Sequence, residues 1–178
     1  ALGAYYAYDE FCKAKGIADA DIIRNIATFK GLEHRMELVG TFKEITFYND
    51  SISTIPEATI AALNTIKRVD TLILGGFDRG IDYSILIEYL NEHPVRNIAF
   101  VGEVGQRLLK EWTEKGYTLP ENFIVESDYA KIVTFAYAHT ALSSSCLRSP
   151  AAASYDQFKD FTVRGATFKN EVKKQAEL

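Results

Sequence analysis

The sequence predicts an α/β fold with three layers, in which helices cover both faces of a mixed, mostly parallel sheet of about six strands. Two observations carry this prediction. Short apolar segments alternate with helical segments of about 10 to 15 residues, which is the pattern of βαβ units. Several predicted strands also end in glycine or a small polar residue, so we expect their carboxyl ends to line up along one edge of the sheet.

Length and composition exclude several classes of protein. The 178 residues, 47% apolar and 25% charged, fit one globular domain with a small appendage, and a net charge of -4 argues against a broad nucleic-acid surface. Cys12 and Cys146 are too few for a disulfide framework, and the three histidines lack metal-ligand spacing, so we predict no metal site. No apolar run approaches the ~18 residues of a membrane span, and no secretory signal opens the chain. We therefore expect a cytoplasmic protein without a membrane or nucleic-acid partner.

The pattern of the first 30 residues predicts two helices and no strand. Residues 1–15 form a helical pattern ended by Gly16, and a second helix capped by an aspartate runs to about residue 28. The chain opens in helix-like sequence without a cap. Either removal of an initiator Met or excision from a longer protein would explain its start, and the missing cap favours excision. We place a domain boundary near Glu33.

The pattern then changes to that of a hairpin followed by a helix. Residues 37–42 and 45–48 have the alternation of two strands joined by a tight polar turn. Residues 55–66 carry apolar side chains at helical spacing. Pro56 lies in the first turn of this helix, where its missing N–H costs nothing.

The rest of the chain alternates between strands and helices. Further strands are predicted at residues 71–74, 97–101, 123–125 and 141–147. Further helices are predicted at residues 83–92, at residues 104–115, from a cap at Ser127 or Asp128 to about residue 139, and from Asp156 or Phe161 to the C-terminus.

Polar residues follow two of the predicted strands. In the run from Asn49 to Thr54, the Asp50 carboxylate suits ribose hydroxyls and the hydroxyl groups suit an anion, but the run also fits a plain helix cap worth about 1 kcal/mol. In residues 75–83, two glycines allow close backbone approach, and Arg79 between two aspartates suits a planar carboxylate or phosphate. A solvated turn with local ion pairs explains this second run equally well. Neither run is a dinucleotide-binding fingerprint or a P-loop.

Two further segments carry candidate binding groups. In residues 149–161, small residues followed by Ser154 suit donors aimed at a carboxylate, whereas Phe158 and Phe161 have the spacing of core residues. His34 and Arg35 form a basic pair before the first strand. They suit a nucleotide phosphate, or else belong to a solvated linker.

These four segments, in this order, resemble the C-terminal domain of the Mur ligases. The resemblance covers nearly the whole chain from Gly31 onward, and residues 1–30 resemble the last helices of the central domain of that family. It implies a Rossmann-like fold and a division of the chain into two parts. Residues 1–33 would be the helical tail of a preceding ATP-binding domain, and residues 34–178 would be the C-terminal domain.

The resemblance also implies a reaction. Mur ligases couple ATP cleavage to amide-bond formation in peptidoglycan synthesis, and this chain is similar to the members that add D-glutamate to UDP-N-acetylmuramoyl-L-alanine. The family's P-loop and magnesium ligands lie in its central domain, so ATP and Mg²⁺ would be bound mainly there. We accordingly expect no catalytic residue in this chain, and no activity of the chain by itself.

The resemblance assigns roles to individual residues. It places His34, Arg35 and Asp50 at nucleotide-contacting positions. The positions that contact D-glutamate in the family correspond to Thr54, Arg79, Ser154, Tyr155 and Phe161.

The chain departs from the family pattern at three places, and two other interpretations of the sequence stay open. Ile52 stands where many members have Lys, Arg79 stands where Lys is common, and residues 143–145 are more polar than the corresponding strand of the family. The first rival is a stand-alone Rossmann-like module that binds a nucleotide or a small anion. The second is a purely structural interaction domain, which predicts that Arg79 can be replaced without loss of activity.

Overall fold

The structure, a computed structural model, describes residues 31–178 together with the single positions Lys15, Arg24 and Thr28. The helices predicted within residues 1–28 lie outside the described residues. The chain divides into two units, residues 1–32 and residues 33–178. The assignment of residues 1–33 to a preceding ATP-binding domain stays a prediction.

Six strands form one mixed sheet in the second unit. They are β1 (Glu37–Phe42), β2 (Ile45–Asn49), β3 (Val69–Gly75), β4 (Asn97–Val101), β5 (Asn122–Val125) and β6 (Ser145–Arg148). Their order across the sheet is β1-β2-β6-β3-β4-β5. The hairpin partners β1 and β2 are antiparallel and all other neighbours are parallel, which confirms the predicted mixed sheet.

Five helices of the described residues pack on the two faces of this sheet. They are α1 (Pro56–Thr65), α2 (Ser84–Glu92), α3 (Gly102–Glu114), α4 (Tyr129–His139) and α5 (Phe161–Ala176). Leu72 and Leu74 of β3 join the core that α1, α2 and α3 bury, whereas Ile73 joins the core of α4 and α5. Successive side chains of a strand point to opposite faces, so this alternation confirms the three-layer arrangement.

The last strand starts later than the sequence predicts, and the last helix starts at one of its two predicted positions. Strand β6 begins at Ser145, four residues later than predicted, because Ala141 to Ser144 form a turn in which Ser143 has a φ of 59° and the Ser144 N–H donates to the Ala141 carbonyl. Helix α5 begins at Phe161, the second of the two predicted starts. The Asp160 side chain accepts hydrogen bonds from the first turn and caps it.

The parallel strands β2, β6, β3 and β4 all end at the same edge of the sheet, as predicted. The helices that follow β2 and β3, α1 and α2, lie on one face of the sheet, whereas α5, which follows β6, lies on the other face. Strand β6 and its two neighbours therefore flank a topological switch point, where open α/β sheets bind ligands. Within the described residues, each helix is too short or too polar to cross a membrane.

Candidate functional site

Three loops meet at the carboxyl edge of the sheet, and we call them the strand-end loops. They are residues 50–55 after β2, residues 76–83 after β3 and residues 149–160 after β6. Hydrogen bonds join them: the Gly75 N–H at the end of β3 donates to the Pro150 carbonyl at 2.8 Å, and the Phe77 N–H of the second loop donates to the Ala153 carbonyl of the third at 3.0 Å. The Ser149 hydroxyl of the third loop donates to the Asp50 carboxylate of the first. The polar segments that follow three separate strands therefore form one continuous surface.

Arg79 and Thr54, two of the residues assigned to D-glutamate, are in direct contact. The Arg79 side chain is exposed, and its Nη2 donates to the Thr54 carbonyl at 2.7 Å. The guanidinium has five N–H donors, and this is its one hydrogen bond to a described residue. The remaining donors can therefore bind an anionic group of a ligand.

The other three residues assigned to D-glutamate lie along the third strand-end loop and at its end. Ser154 is buried, and its carbonyl accepts hydrogen bonds from the next turn of the loop. Tyr155 is 67% exposed, and its ring lies 6.3 Å from the ring of Phe77, edge to face. Phe161 is half-buried and begins α5, and its carbonyl accepts a hydrogen bond of 2.6 Å from Ser51 Oγ.

Asp50, assigned to the nucleotide, is buried and hydrogen-bonded on both carboxylate oxygens. Its Oδ1 accepts from the Met36 N–H at 3.0 Å, and its Oδ2 accepts from the hydroxyl groups of Ser53 and Ser149. These bonds compensate the burial of the charge. In this conformation, Asp50 holds together the segment before β1 and two strand-end loops, and a nucleotide contact by Asp50 stays a prediction.

His34 and Arg35, the other two residues assigned to the nucleotide, differ in exposure. Arg35 is exposed, whereas His34 is 3% exposed and lies against the end of β2. Asn49 Nδ2 donates to His34 Nδ1 at 2.9 Å and to Glu37 Oε2 at 3.0 Å. Because Nδ1 accepts this bond, neutral His34 carries its proton on Nε2, which is buried and has no hydrogen-bond partner among the described residues. Asn49 was not among the predicted binding residues, although it opens the polar run after β2.

The chain is similar to two curated relatives that carry the same name. It is 37% identical over 157 residues to UDP-N-acetylmuramoylalanine–D-glutamate ligase of Caldanaerobacter subterraneus subsp. tengcongensis, an alignment that covers 88% of this chain and 34% of that protein. It is 38% identical over 165 residues to the protein of the same name from Latilactobacillus sakei, covering 93% of this chain and 36% of that protein. No protein-family model matches the chain.

The chain belongs to the Mur ligase family. It spans about a third of the length of the curated relatives that it matches. A murein peptide ligase from Psychrobacter arcticus has a similar structure, with a TM-score of 0.51 over 82% of this chain and 32% of that protein, and at 16% identity this likeness shows the fold alone. The Rossmann-like fold expected from the resemblance is confirmed.

Two buried arginines of this Mur ligase chain, which the sequence analysis did not select, lie near the strand-end loops, and Arg164 supports two of these loops directly. Arg164 of α5 donates through Nη1 to the Ala153 carbonyl at 2.7 Å and through Nη2 to the Ser51 carbonyl at 2.8 Å. Arg148, at the end of β6, donates to the hydroxyl of Tyr129. Burial and then the nearby charge of Arg148 lower the pKa of Arg164 to about 9, which leaves it cationic at neutral pH. Arg164 falls on the apolar face of α5, between Phe161 and Phe168, and an arginine at such a position is a signal that sequence analysis can use.

No described carboxylate forms an ion pair with either buried arginine. A buried charge without a counter-ion contributes to the potential of its surroundings, because the low dielectric of the interior screens it poorly. Arg148 and Arg164 place two positive charges beneath the strand-end loops, and the buried carboxylate of Asp50 and the nearby carboxylate of Asp156 offset them in part.

One group of side chains among the described residues could hold a metal ion by its geometry. It consists of Glu33, His34 and Glu37. Lys169 Nζ lies between the two carboxylates, 2.7 Å from Glu33 Oε1 and 2.8 Å from Glu37 Oε1, so an ammonium group already occupies this position and balances one of their two negative charges. His34 Nδ1 also accepts from Asn49, which leaves a proton on the free ring nitrogen. These residues do not fit Mg²⁺, which prefers several carboxylate and water oxygens.

Proposed function

We propose that this chain is the C-terminal, substrate-binding domain of an ATP-dependent ligase that adds D-glutamate to UDP-N-acetylmuramoyl-L-alanine in peptidoglycan synthesis. The contact between Arg79 and Thr54 carries the proposal, because it joins two strand-end loops at a guanidinium that retains free donors. The names of the curated relatives, which state the D-glutamate reaction, support it. We further propose a cytoplasmic location, since the reaction consumes ATP.

The chemistry of D-glutamate fits the strand-end loops. The amino acid carries two carboxylates, and a carboxylate is bound well by a planar guanidinium that can donate two parallel hydrogen bonds. Arg79 supplies such a group, and Thr54, Ser154, Tyr155 and Phe161 are proposed to line the remainder of the site.

The nucleotide is proposed to bind beside this site. Arg35 is exposed just before β1 and is our candidate for a phosphate contact. His34 and Asp50 are buried next to it, so we propose that they reach the nucleotide only through a rearrangement or support the segment that does. ATP, Mg²⁺ and the uridine nucleotide would be held mainly by other domains of the ligase.

Replacing Arg79 by alanine in the full-length ligase tests this proposal. We expect the KM for D-glutamate to rise tenfold or more, because ~1.4 kcal/mol of lost binding is already a factor of ten and a charge-assisted hydrogen bond is worth about 1.5 to 3 kcal/mol. The KM values for ATP and for the uridine nucleotide substrate should stay unchanged. Steady-state kinetics with each substrate varied in turn measures all three.

Arg96→Ala is the matched control. Arg96 is also an exposed arginine, but it precedes β4 at the opposite edge of the sheet and pairs with Glu121 at 2.8 Å. Its replacement should leave every KM unchanged. An Arg79→Ala enzyme with an unaltered KM for D-glutamate would contradict the proposal and favour the structural interaction domain. A change in the KM for ATP alone would favour the nucleotide-binding module.

A further inference from the structure

Arg107, on the exposed side of helix α3, holds the strand-end loop that carries Arg79. Its Nη1 donates to both carboxylate oxygens of Asp78, at 3.1 and 3.2 Å, and its Nη2 donates to the Ile81 carbonyl at 2.9 Å. Its Nε donates to Glu111, one turn further along α3, at 2.7 Å. One guanidinium therefore fixes two points of the loop to a rigid helix.

Arg79 lies between these two fixed points. Asp78 Oδ1 also accepts from the Gly80 N–H at 2.8 Å, so the backbone is tied back on itself directly around Arg79. Gly80 has a φ of 70°, in the left-handed region, which this tight turn requires. The conformation of the loop in turn sets where the Arg79 side chain can reach, and it reaches Thr54.

The charge of Arg107 is already compensated. Asp78 and Glu111 both contact its guanidinium, and all three side chains are between 24% and 31% exposed. The guanidinium also lies 5.3 Å from the centre of the Tyr83 ring. Arg107 thus does not compete with Arg79 for an anionic ligand, and its geometry indicates a part in the conformation of the loop.

We propose that Arg107 is a positioning residue, which holds residues 78–81 so that Arg79 meets a carboxylate of the substrate in one orientation. This inference rests on the proposed function of Arg79. The physical reason is preorganisation: an exposed arginine on a mobile loop must be ordered when the ligand binds, and a loop that is fixed beforehand avoids that cost. Replacing Arg107 should therefore weaken the binding of D-glutamate through Arg79 alone.

The test compares Arg107→Gln, Arg79→Ala and the double variant in the full-length ligase. We expect Arg107→Gln to raise the KM for D-glutamate about three- to tenfold, with the KM for ATP unchanged. The double variant should show the same KM for D-glutamate as Arg79→Ala by itself, because Arg107 has no effect once Arg79 is gone. Arg107→Lys, which keeps the charge but loses the planar fork, should restore the KM only in part.

A second variant and a second measurement distinguish the loss of loop positioning from a folding defect. Asp78→Asn weakens the same contact from the loop side and should raise the KM for D-glutamate in the same way. Hydrogen exchange followed by mass spectrometry on the ligase without substrate should show faster exchange in residues 77–83 for both variants. Arg96→Gln, which breaks the bidentate pair with Glu121 at the far edge, should change neither the KM nor this exchange.

The outcomes separate this inference from the proposed function. If Arg79→Ala raises the KM for D-glutamate and Arg107→Gln does not, the positioning role is overturned and the proposed function stands. If the double variant is worse than Arg79→Ala by the full factor of Arg107→Gln, Arg107 acts independently and the positioning role is again overturned. If Arg79→Ala leaves the KM unchanged, both are overturned.

Discussion

Arginines at the strand-end loops serve different purposes according to how many of their donors the protein uses. Arg79 is exposed and gives one hydrogen bond to the protein, whereas Arg164 is buried and gives hydrogen bonds to Ser51 and Ala153. A buried guanidinium has lost its hydration, so it is tolerated only because these acceptors replace water. Arg164 therefore belongs to the framework of the loops, and Arg79 is available to a ligand.

We predict that Arg164→Met lowers the free energy of unfolding by about 2 kcal/mol or more. Methionine fills a similar volume and removes a buried charge that Arg148 disfavours, but it leaves the buried Ser51 carbonyl without a donor, which costs about 1 to 3 kcal/mol. It also takes one of two donors from the Ala153 carbonyl, which keeps the Phe77 N–H. Urea unfolding at neutral pH measures the change. Arg96→Met, at an exposed ion pair, should cost no more than ~1 kcal/mol. A loss for Arg164→Met as small as that of Arg96→Met would contradict the framework role.

Sequence resemblance assigned roles to individual residues but did not describe their surroundings. It paired Thr54 and Arg79 as ligand contacts, and the structure brings the two together. It gave no reason to expect that Asp50 would be buried under two hydroxyl groups and a backbone N–H, since those partners come from three separate segments. Arg164 was missed for the same reason, because its role arises only when α5 packs against loops more than 100 positions away in sequence.

Helix α5 approaches the end of β2 closely because position 165 is a glycine. A Cβ atom on Gly165 would lie 2.3 Å from His34 Nδ1 and 3.0 Å from Asn49 Nδ2. Both neighbours are buried and hydrogen-bonded to each other, so neither can move aside freely. The close approach also places Phe161, the first residue of α5, beside the strand-end loops, where its ring lies 6.0 Å from that of His34.

We predict that Gly165→Ala destabilises the protein by about 1 kcal/mol or more, although alanine favours a helix by roughly 1 kcal/mol over glycine. Overpacking of a filled site typically costs about 1 to 3 kcal/mol, and an approach of 2.3 Å places this site in the upper part of that range, above the gain in helix propensity. Thermal unfolding measures the change. Asn170→Ala, on the exposed side of the same helix, should stabilise slightly through helix propensity. An alanine at position 165 that stabilised the protein as well would show that α5 can move away from His34.

Helices and strands with a clear local pattern were predicted correctly, and the difference at β6 has a specific cause. The hairpin of β1 and β2 and the proline at the start of α1 follow from local sequence, and the structure has both. Residues 141–147 were predicted as one strand, although the three serines at 143–145 are a local sign of a turn. The turn before β6 depends on a partner distant in sequence, since the Ser143 N–H donates to the carbonyl of Glu44 in the hairpin turn.

At the scale of the whole molecule, hydrogen bonds between distant segments join the edge of the sheet to its last helix. Glu37 of β1 accepts from Lys169 of α5, from the His34 N–H and from Asn49 of β2. Partial burial by itself would raise the pKa of the Glu37 carboxyl, but these three bonds outweigh burial and lower it. The ionised carboxylate therefore stabilises the arrangement of β1, β2 and α5.

This lowered pKa predicts how stability depends on pH. The unfolded chain takes up a proton on Glu37 near pH 4.5, whereas the folded protein does so only at lower pH. Between these two values the unfolded state holds more protons, so the contribution of Glu37 is complete above pH 4.5 and is lost as the pH falls through the folded pKa. We expect the free energy of unfolding to decrease as the pH falls from about 5 toward 3.

Glu37→Gln separates this effect from that of the other carboxylates. Glutamine keeps the size of the side chain and an acceptor oxygen but cannot ionise, so the variant should be less stable than the parent protein at pH 7 and should approach it in stability by pH 3. Several other carboxyls also have lowered pKa values. Hydrogen bonds from the N–H groups of Asp128 and Ser127, for example, lower the pKa of Glu126 to about 2. These other carboxyls account for the acid sensitivity that remains in the variant. Urea unfolding at pH 7, 5, 4 and 3 measures both proteins. A constant difference between them across this range would show that Glu37 stabilises the fold by packing, because only an ionic contribution disappears when the carboxylate takes up its proton.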